Sequence, residues 1–241
     1  SIRRISMLEI IVETVADALA AEAGGATRLD LKADFVEKGL TPSAGMVEQI
    51  CSRVNIEVMV MVRPHTRSWV LTPEDVAVMC SDIRIGRELG AASFLLAALT
   101  DDHELDFPAI EAFRNATGDL PLHFHMGWEL TKDTHETLKQ LISLGVKSVR
   151  TSGGRGPGGQ AVENIPQIRA LQELAAGNID LLLAGGVIAE NIGRLVAETG
   201  VMQAHSGTGA RTPPTVRGVV DHVKVRELRE ALDQAVALYT A

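Results

Sequence analysis

His123 and His125 stand two residues apart in a short apolar run, a spacing that puts both imidazoles on one face of a strand. Such a pair can move protons near neutral pH or chelate zinc or copper. The same alternation groups other polar side chains. Arg28, Asp30 and Lys32 share a face, Arg63 follows Met59 and Met61, Gln203 precedes His205, and Glu9 sits in an apolar run with Glu13 beyond it. A carboxylate beside an imidazole suits general acid–base work, an arginine can grip a carboxylate or phosphate with two parallel bonds, and a lysine amine can form a Schiff base. The candidate catalytic set is therefore Glu9, Asp30, Arg63 and His125. In it His125 is the acid or base, Glu9 or Asp30 its partner, and Arg63 the anion clamp.

A second group is built on small residues. Thr151-Ser152-Gly153 opens a glycine-rich run to Gly159, a candidate mobile lid. Gly185-Gly186 and His205-Ser206-Gly207-Thr208 follow two later apolar runs. Glycine lets backbone N–H groups approach an anion closely, so these segments, with Lys32, form the candidate phosphate- or ligand-binding set. No fixed third ligand accompanies the histidine pair in sequence, so a metal set stays open. Cys51 and Cys80 lie in amphipathic stretches and read as small buried hydrophobes.

These residues need a scaffold that brings distant segments to one place. Eight short Val/Ile/Leu-rich runs, at 8–12, 28–31, 58–62, 93–98, 122–125, 147–151, 179–184 and 202–205, alternate with eight amphipathic stretches. The latter predict helices at 14–23, 43–53, 73–89, 106–116, 131–143, 164–175, 188–198 and 222–239. Near-continuous apolarity predicts strands covered on both faces, as in a parallel sheet. Glycines at 24/25, 90, 118, 145, 177 and 200 close six of the helices before the next strand. Eight strand–helix units in 241 residues predict a (β/α)8 TIM barrel of the α/β class, one domain over 1–241, rather than an open doubly wound sheet. In that fold the polar strand ends meet at one mouth.

Composition bounds the partners. With 23 Lys+Arg against 31 Asp+Glu, the net charge of −8 argues against bulk binding to nucleic acid or anionic lipid and leaves room for a local basic pocket. Aromatics are 3%, so the core is aliphatic. No apolar run approaches the ~18–20 residues of a membrane span. The start of the chain, with Arg3 and Arg4, does not read as a signal peptide, which predicts a cytoplasmic protein.

Several segments in order resemble the CutC-type copper homeostasis proteins over nearly the whole chain. They are Glu9; the run from Gly24-Gly25-Ala26 through Asp30-Leu31; Glu37-Lys38-Gly39-Leu40-Thr41-Pro42-Ser43; Arg63-Pro64; Ala98-Leu99-Thr100-Asp101-Asp102; Phe124-His125; Thr151-Ser152-Gly153; and His205-Ser206. The resemblance implies the barrel, a homo-oligomer (dimer or tetramer), a cytosolic role linked to copper, and copper as a bound ion. It carries Glu9, Asp30, Arg63, His125, Thr151, Ser152, Gly153 and His205 over as mouth residues. This chain departs where the family commonly has cysteine, at Ile11 and Lys32, and where Met126-Gly127-Trp128-Glu129 replaces a segment with arginine and aspartate. Loss of soft thiolates removes the donors that favour Cu(I), while the polar mouth is kept. The expectation is a pocket for a small anionic molecule. The alternative is a lyase-, isomerase- or aldolase-type barrel enzyme acting on a phosphorylated or carboxylated substrate, with no physiological role for copper.

Overall fold

A computed structural model describes residues 6–241. The Arg3–Arg4 segment read for a leader lies outside the described residues. Eight parallel strands close into a barrel in chain order: β1 (Leu8–Val12), β2 (Arg28–Leu31), β3 (Glu57–Met61), β4 (Ser93–Leu96), β5 (Leu122–Phe124), β6 (Ser148–Thr151), β7 (Asp180–Leu183) and β8 (Ala204–Ser206), with β8 paired to β1. Helices follow each strand: α1 (Val15–Gly24), α2 (Ala44–Cys51), α3 (Pro73–Glu88), α4 (Phe107–Thr117), α5 (Thr134–Ser143), α6 (Ile165–Ala175), α7 (Ala189–Thr199) and α8 (His222–Tyr239). This is the (β/α)8 barrel that the alternation predicts. Among the described residues, no helix is long and apolar enough to cross a membrane.

Local chemistry starts and stops the helices. Thr14, Ser43, Asp106, Asp133 and Asp221 each accept a backbone N–H in the first turn of the helix they precede. Thr72 and Asp75 cap α3 reciprocally, with Pro73 at its first position. The six glycine positions predicted to end helices all carry positive φ.

Strand alternation splits the interior in two. Leu8, Ile10, Val12, Leu29, Leu31, Val58 and Val60 face outward and join Phe113, Leu138, Ile168, Leu195 and Leu228 of the helices in one aliphatic core. Each such fully buried side chain contributes ~1.5–3 kcal/mol. The inward positions are different in kind. Glu9, Arg28, Asp30, Lys32, His123, His125, Ser148 and Arg150 are all buried, with Met59, Met61 and Leu95 among them. A barrel filled with charge in place of Val, Ile and Leu is the feature that positions the site.

Four strands leave the ladder earlier than predicted. β4, for example, ends at Leu96, because the chain turns outward to bridge Leu99 to Val70 and Leu105. After β8 the chain forms a two-stranded hairpin, β9 (Arg211–Thr212) with β10 (Val219–Val220), which the hydrophobic pattern does not announce. Its Arg211 is buried and donates to the carbonyls of Gly218 and Ile11, tying the hairpin to β1.

Candidate functional site

Beneath the mouth lies a buried ion cluster centred on Glu9. Arg28 Nε donates to Glu9 Oε2 at 2.6 Å, Arg150 Nε to Oε1 at 2.8 Å, and Arg150 Nη2 also to Oε2. His205 Nδ1 lies 2.7 Å from Oε1. The adjacent pairing of Glu9 with Arg28 and with His205 follows from the β1–β2 and β1–β8 registers. Burial is the largest influence on the Glu9 carboxyl and pushes its pKa up. The Arg150 and Arg28 charges and the His205 hydrogen bond together outweigh it and hold the group well below the usual range. The bond to an ionised Glu9 puts the His205 proton on Nδ1 and leaves Nε2 as the free acceptor of the ring.

A cavity of about 220 Å³ opens above this cluster at the C-terminal ends of the strands. Its polar lining includes Asp30, Lys32, His125, Arg150, His205 and Thr208, with Gly185, Gly186 and Gly207 of the later loops and Lys38 at the rim. Ile11, Trp69 and Leu95 supply apolar wall. Four of the predicted ligand residues beside the strand 7 and 8 exits thus face one space with Lys32, Asp30, His125 and His205. The carboxylate of Asp30 is fully buried, and neither oxygen has a hydrogen-bond partner among the described residues. Lys32 Nζ is 2.8 Å from Asp30 Oδ2, a close ion pair whose angle falls outside hydrogen-bond geometry.

His125 accepts the Gly127 N–H on Nδ1 at 3.0 Å, so its proton sits on Nε2. Burial, then the charges of Lys32, Arg63 and Arg150, push its pKa well below the normal histidine value. It is a neutral hydrogen-bond donor. Glu9, predicted as its partner, is bonded to His205 instead, so the carboxylate–imidazole pair of the site is Glu9–His205.

Other predicted residues are elsewhere. His123 shares a face with His125 but lies one layer deeper, bonded to Ser148 Oγ at 2.7 Å, in a small pocket at the opposite end of the barrel with Gln203. The two histidines therefore do not form one chelating pair. Arg63 is buried beside the cavity and outside its lining. Its guanidinium donates to the carbonyls of Glu37, Gly39 and Thr66 and lies 4.0 Å over the Trp69 ring, which in turn stacks 4.6 Å from His125. It anchors two loops and one wall.

Thr151, Ser152 and Gly153 do cradle an anion, but the anion is the carboxylate of Glu129. Oε1 accepts from Thr151 Oγ and the N–H groups of Ser152, Gly153 and Gly154 at 2.6, 2.9, 3.2 and 2.9 Å. Oε2 accepts from Ser152 Oγ at 2.8 Å and Gly156 N at 2.9 Å. The beginning of the run read as a mobile lid is pinned by these bonds. Its continuation, Pro157 to Gln160, forms cavity wall. Ser206 is likewise engaged, donating to the Val187 carbonyl at 2.8 Å and tying the loop after β8 to the loop after β7.

In the loop after β7, Gly185 and Gly186 have φ of +85° and +69°. A Cβ on Gly185 would lie 2.1 Å from the Gly159 carbonyl oxygen, so the glycine is required. Neither N–H donates to an acceptor among the described residues. Sequence reasoning missed Arg150, although strict alternation from Ser148 points it inward. It also missed the role of Glu129.

The model of the CutC family matches residues 6–210. A CutC family protein of Bacteroides thetaiotaomicron is 34% identical over 198 residues, 82% of this chain and 78% of its own length. The Homo sapiens copper homeostasis protein cutC homolog is 32% identical over 199 residues, 83% of this chain and 72% of its own. The crystal structure of CutC from Streptococcus agalactiae superposes with a TM-score of 0.78 at 33% identity, covering 84% of this chain and 98% of that one. Phosphoribosylanthranilate isomerase of Thermotoga maritima, at 13% identity and TM-score 0.62 over 95% of this chain and 99% of its own, shares the fold.

Proposed function

The chain belongs to the CutC family, and we propose that its barrel mouth binds a small organic anion carrying a phosphate or carboxylate group. The observation that carries this reading is the charge of the cavity wall. Lys32, Lys38 and Arg150 line it against one acid, Asp30, beside two glycine turns, in one of which the Gly185 and Gly186 N–H groups meet no acceptor among the described residues. Below the wall Glu9 is balanced by Arg28, so the deeper layer adds no net negative charge. Such an imbalance along a concave wall favours an anion. The anionic group sits at Gly185, Gly186, Gly207 and Thr208. The rest of the ligand faces His125 Nε2–H, a neutral donor, and His205 Nε2, a base oriented by Glu9. This division of labour supports the enzyme alternative, in which His205 moves a proton that His125 helps to polarise. A cytosolic location and a dimer or tetramer belong to the same reading through the family resemblance. Light scattering on the purified protein tests the second.

Copper enters through the names of the relatives. The donors at this mouth do not fit Cu(I). Ile11 and Lys32 offer no sulfur, Met126 brings a single thioether to the lining, Met59 Sδ accepts from Arg150 Nη2 at 3.0 Å, and Cys51 and Cys80 sit on α2 and α3 outside the cavity lining. Burial raises the Cys51 thiol to about 11, which keeps it protonated. Glu9, Asp30 and His205 bring three ligand atoms within 4.8 Å of one another, but Glu9 is held by two guanidiniums and Asp30 faces an ammonium. A cation entering there would meet three resident positive charges.

The test is a crystal soaked in inorganic phosphate, paired with thermal unfolding in phosphate, glycerol 3-phosphate and glycerol. Density at the loops after β7 and β8 is expected, with both anions raising the melting temperature and glycerol leaving it unchanged. At 100 times Kd the gain is ~2.7 kcal/mol. Density elsewhere, or equal stabilisation by glycerol, overturns the reading. Micromolar Cu(I) binding that His205→Ala abolishes supports the metal reading instead.

A further inference from the structure

We propose that Lys32 captures carbonyl compounds: it forms an imine with a small aldehyde or ketone bearing an anionic group, with Asp30 as the proton carrier. The choice of an anionic partner rests on the reading above; the imine rests on Lys32 and Asp30 alone.

A lysine kept only for charge at a rim extends its ammonium into water, as the exposed Lys38 does here. Lys32 does not. Its side chain is 6% exposed and lines the cavity floor. The stem is held by Gly39, where a Cβ would come within 2.6 Å of both Lys32 Cδ and Met61 Sδ. The amine is therefore fixed at the wall that a ligand must meet.

Its partner is equally unusual. A buried carboxylate that serves stability collects hydrogen bonds, as Glu9 and Glu129 do here. Asp30 is buried completely, has none, and lies against Lys32 in the cavity lining. A hydroxyl formed where the carbonyl oxygen had been would give it the missing donor.

The step balances without an oxidant or reductant. Lys32 Nζ passes one proton to Asp30 and its lone pair attacks the carbonyl carbon, while the C=O π pair moves to oxygen. Asp30 returns the proton to that oxygen, giving a carbinolamine. Loss of the second nitrogen proton and of the hydroxyl as water closes the C=N bond. The imine then draws electrons from the neighbouring C–H or C–C bond, the use to which lysine nucleophiles are put in aldol-type cleavage.

The experiment is borohydride trapping on the full chain. The protein is incubated with pyruvate, glyceraldehyde 3-phosphate or neutral glycolaldehyde, reduced, digested and mapped by mass spectrometry. Lys32 should gain the mass of the carbonyl compound less one oxygen, at an occupancy at least about tenfold above Lys132 and Lys139, which are more than half exposed. Lys32→Arg should abolish the adduct, and Asp30→Asn should slow it about 100-fold with an unchanged circular dichroism spectrum. Selective labelling by the anionic compounds supports both readings. Equal labelling of Lys32 by glycolaldehyde supports the imine and removes the anion preference. No Lys32 adduct above the exposed lysines overturns the imine. If phosphate still raises the melting temperature in that case, the anion site stands without it.

Discussion

Glu129→Gln isolates the contribution of one buried charge to the cavity wall. The carboxylate accepts six hydrogen bonds, four on Oε1 and two on Oε2. Glutamine keeps one oxygen and replaces the other by NH2. Placed at Oε2, the amide can donate to Ser152 Oγ, which rotates to accept, but it meets the Gly156 N–H donor to donor. The four remaining bonds lose their charge assistance, a difference of roughly 1 kcal/mol each, and the orphaned N–H costs roughly 1–3 kcal/mol more. These terms are not additive, and a local penalty of about 3–5 kcal/mol is expected. The loop opens locally before the barrel does, so amide hydrogen exchange is the assay. Exchange at Ser152, Gly153, Gly154 and Gly156 should accelerate about 100- to 4,000-fold, at a factor of ten for each ~1.4 kcal/mol. Exchange in β1 and β2 should stay unchanged. Glu129→Asp keeps the charge on a shorter arm and should fall between. Unaltered exchange at these four amides in Glu129→Gln would refute the assignment of the carboxylate as the pin of this loop.

Two further outcomes follow from the same interior. His123 and His125 are both held neutral, first by burial and then by nearby cations, with pKa values well below 6.5. The unfolded chain binds their protons near pH 6.5 and the native chain does not, so stability is present above that pH and is lost as pH falls below it, by ~1.4 kcal/mol per unit for each histidine. Urea titrations at pH 7.5, 6.5 and 5.5 read the slope, which His123→Gln should reduce by the share of one histidine; a flat profile contradicts the buried neutral state. The depressed Glu9 carboxyl contributes in a separate window, with stability present above about pH 4.5 and lost below it. Glu9→Gln strands Arg28 and Arg150 in the barrel and should cost about 3–5 kcal/mol in chemical denaturation. An unchanged midpoint would show that neither guanidinium depends on it.

The elements were legible because two independent signals agree at most boundaries. Apolar runs mark the strands, and a capping residue or glycine marks most helix ends. Alternation also gave the face of the first, second, third, fifth and eighth strands, which is why Glu9, Asp30, Lys32, His125 and His205 were recognised as inward. It does not give depth. His123 and His125 share a face and differ by one layer, so one meets the mouth and the other the opposite end. Depth depends on the stagger between neighbouring strands, set by pairings such as Glu9 with Arg28 and His123 with Ser148. Arg150 was legible in principle from its alternation with Ser148. The hairpin after β8 was not, because its two short strands carry no period long enough to read.

Thr151-Ser152-Gly153 shows how a motif can be read with the right chemistry and the wrong occupant. Hydroxyls and N–H groups on a glycine-rich turn do make an anion cradle. The sequence places Glu129 more than twenty residues upstream, and only the turn of chain after β5 carries its carboxylate into that cradle. The consequence reaches the whole mouth. An external phosphate at this loop would have to displace a charge already holding six bonds. Among the described residues, the turns after β7 and β8 carry no such resident: the N–H groups of Gly185 and Gly186 are open, and the acids nearest the cavity are engaged by Lys32, Arg28 and Arg150. On the reading proposed above, occupying one anion site from within directs an incoming anion to the other, and leaves the reactive end of the ligand over Lys32, Asp30 and His205.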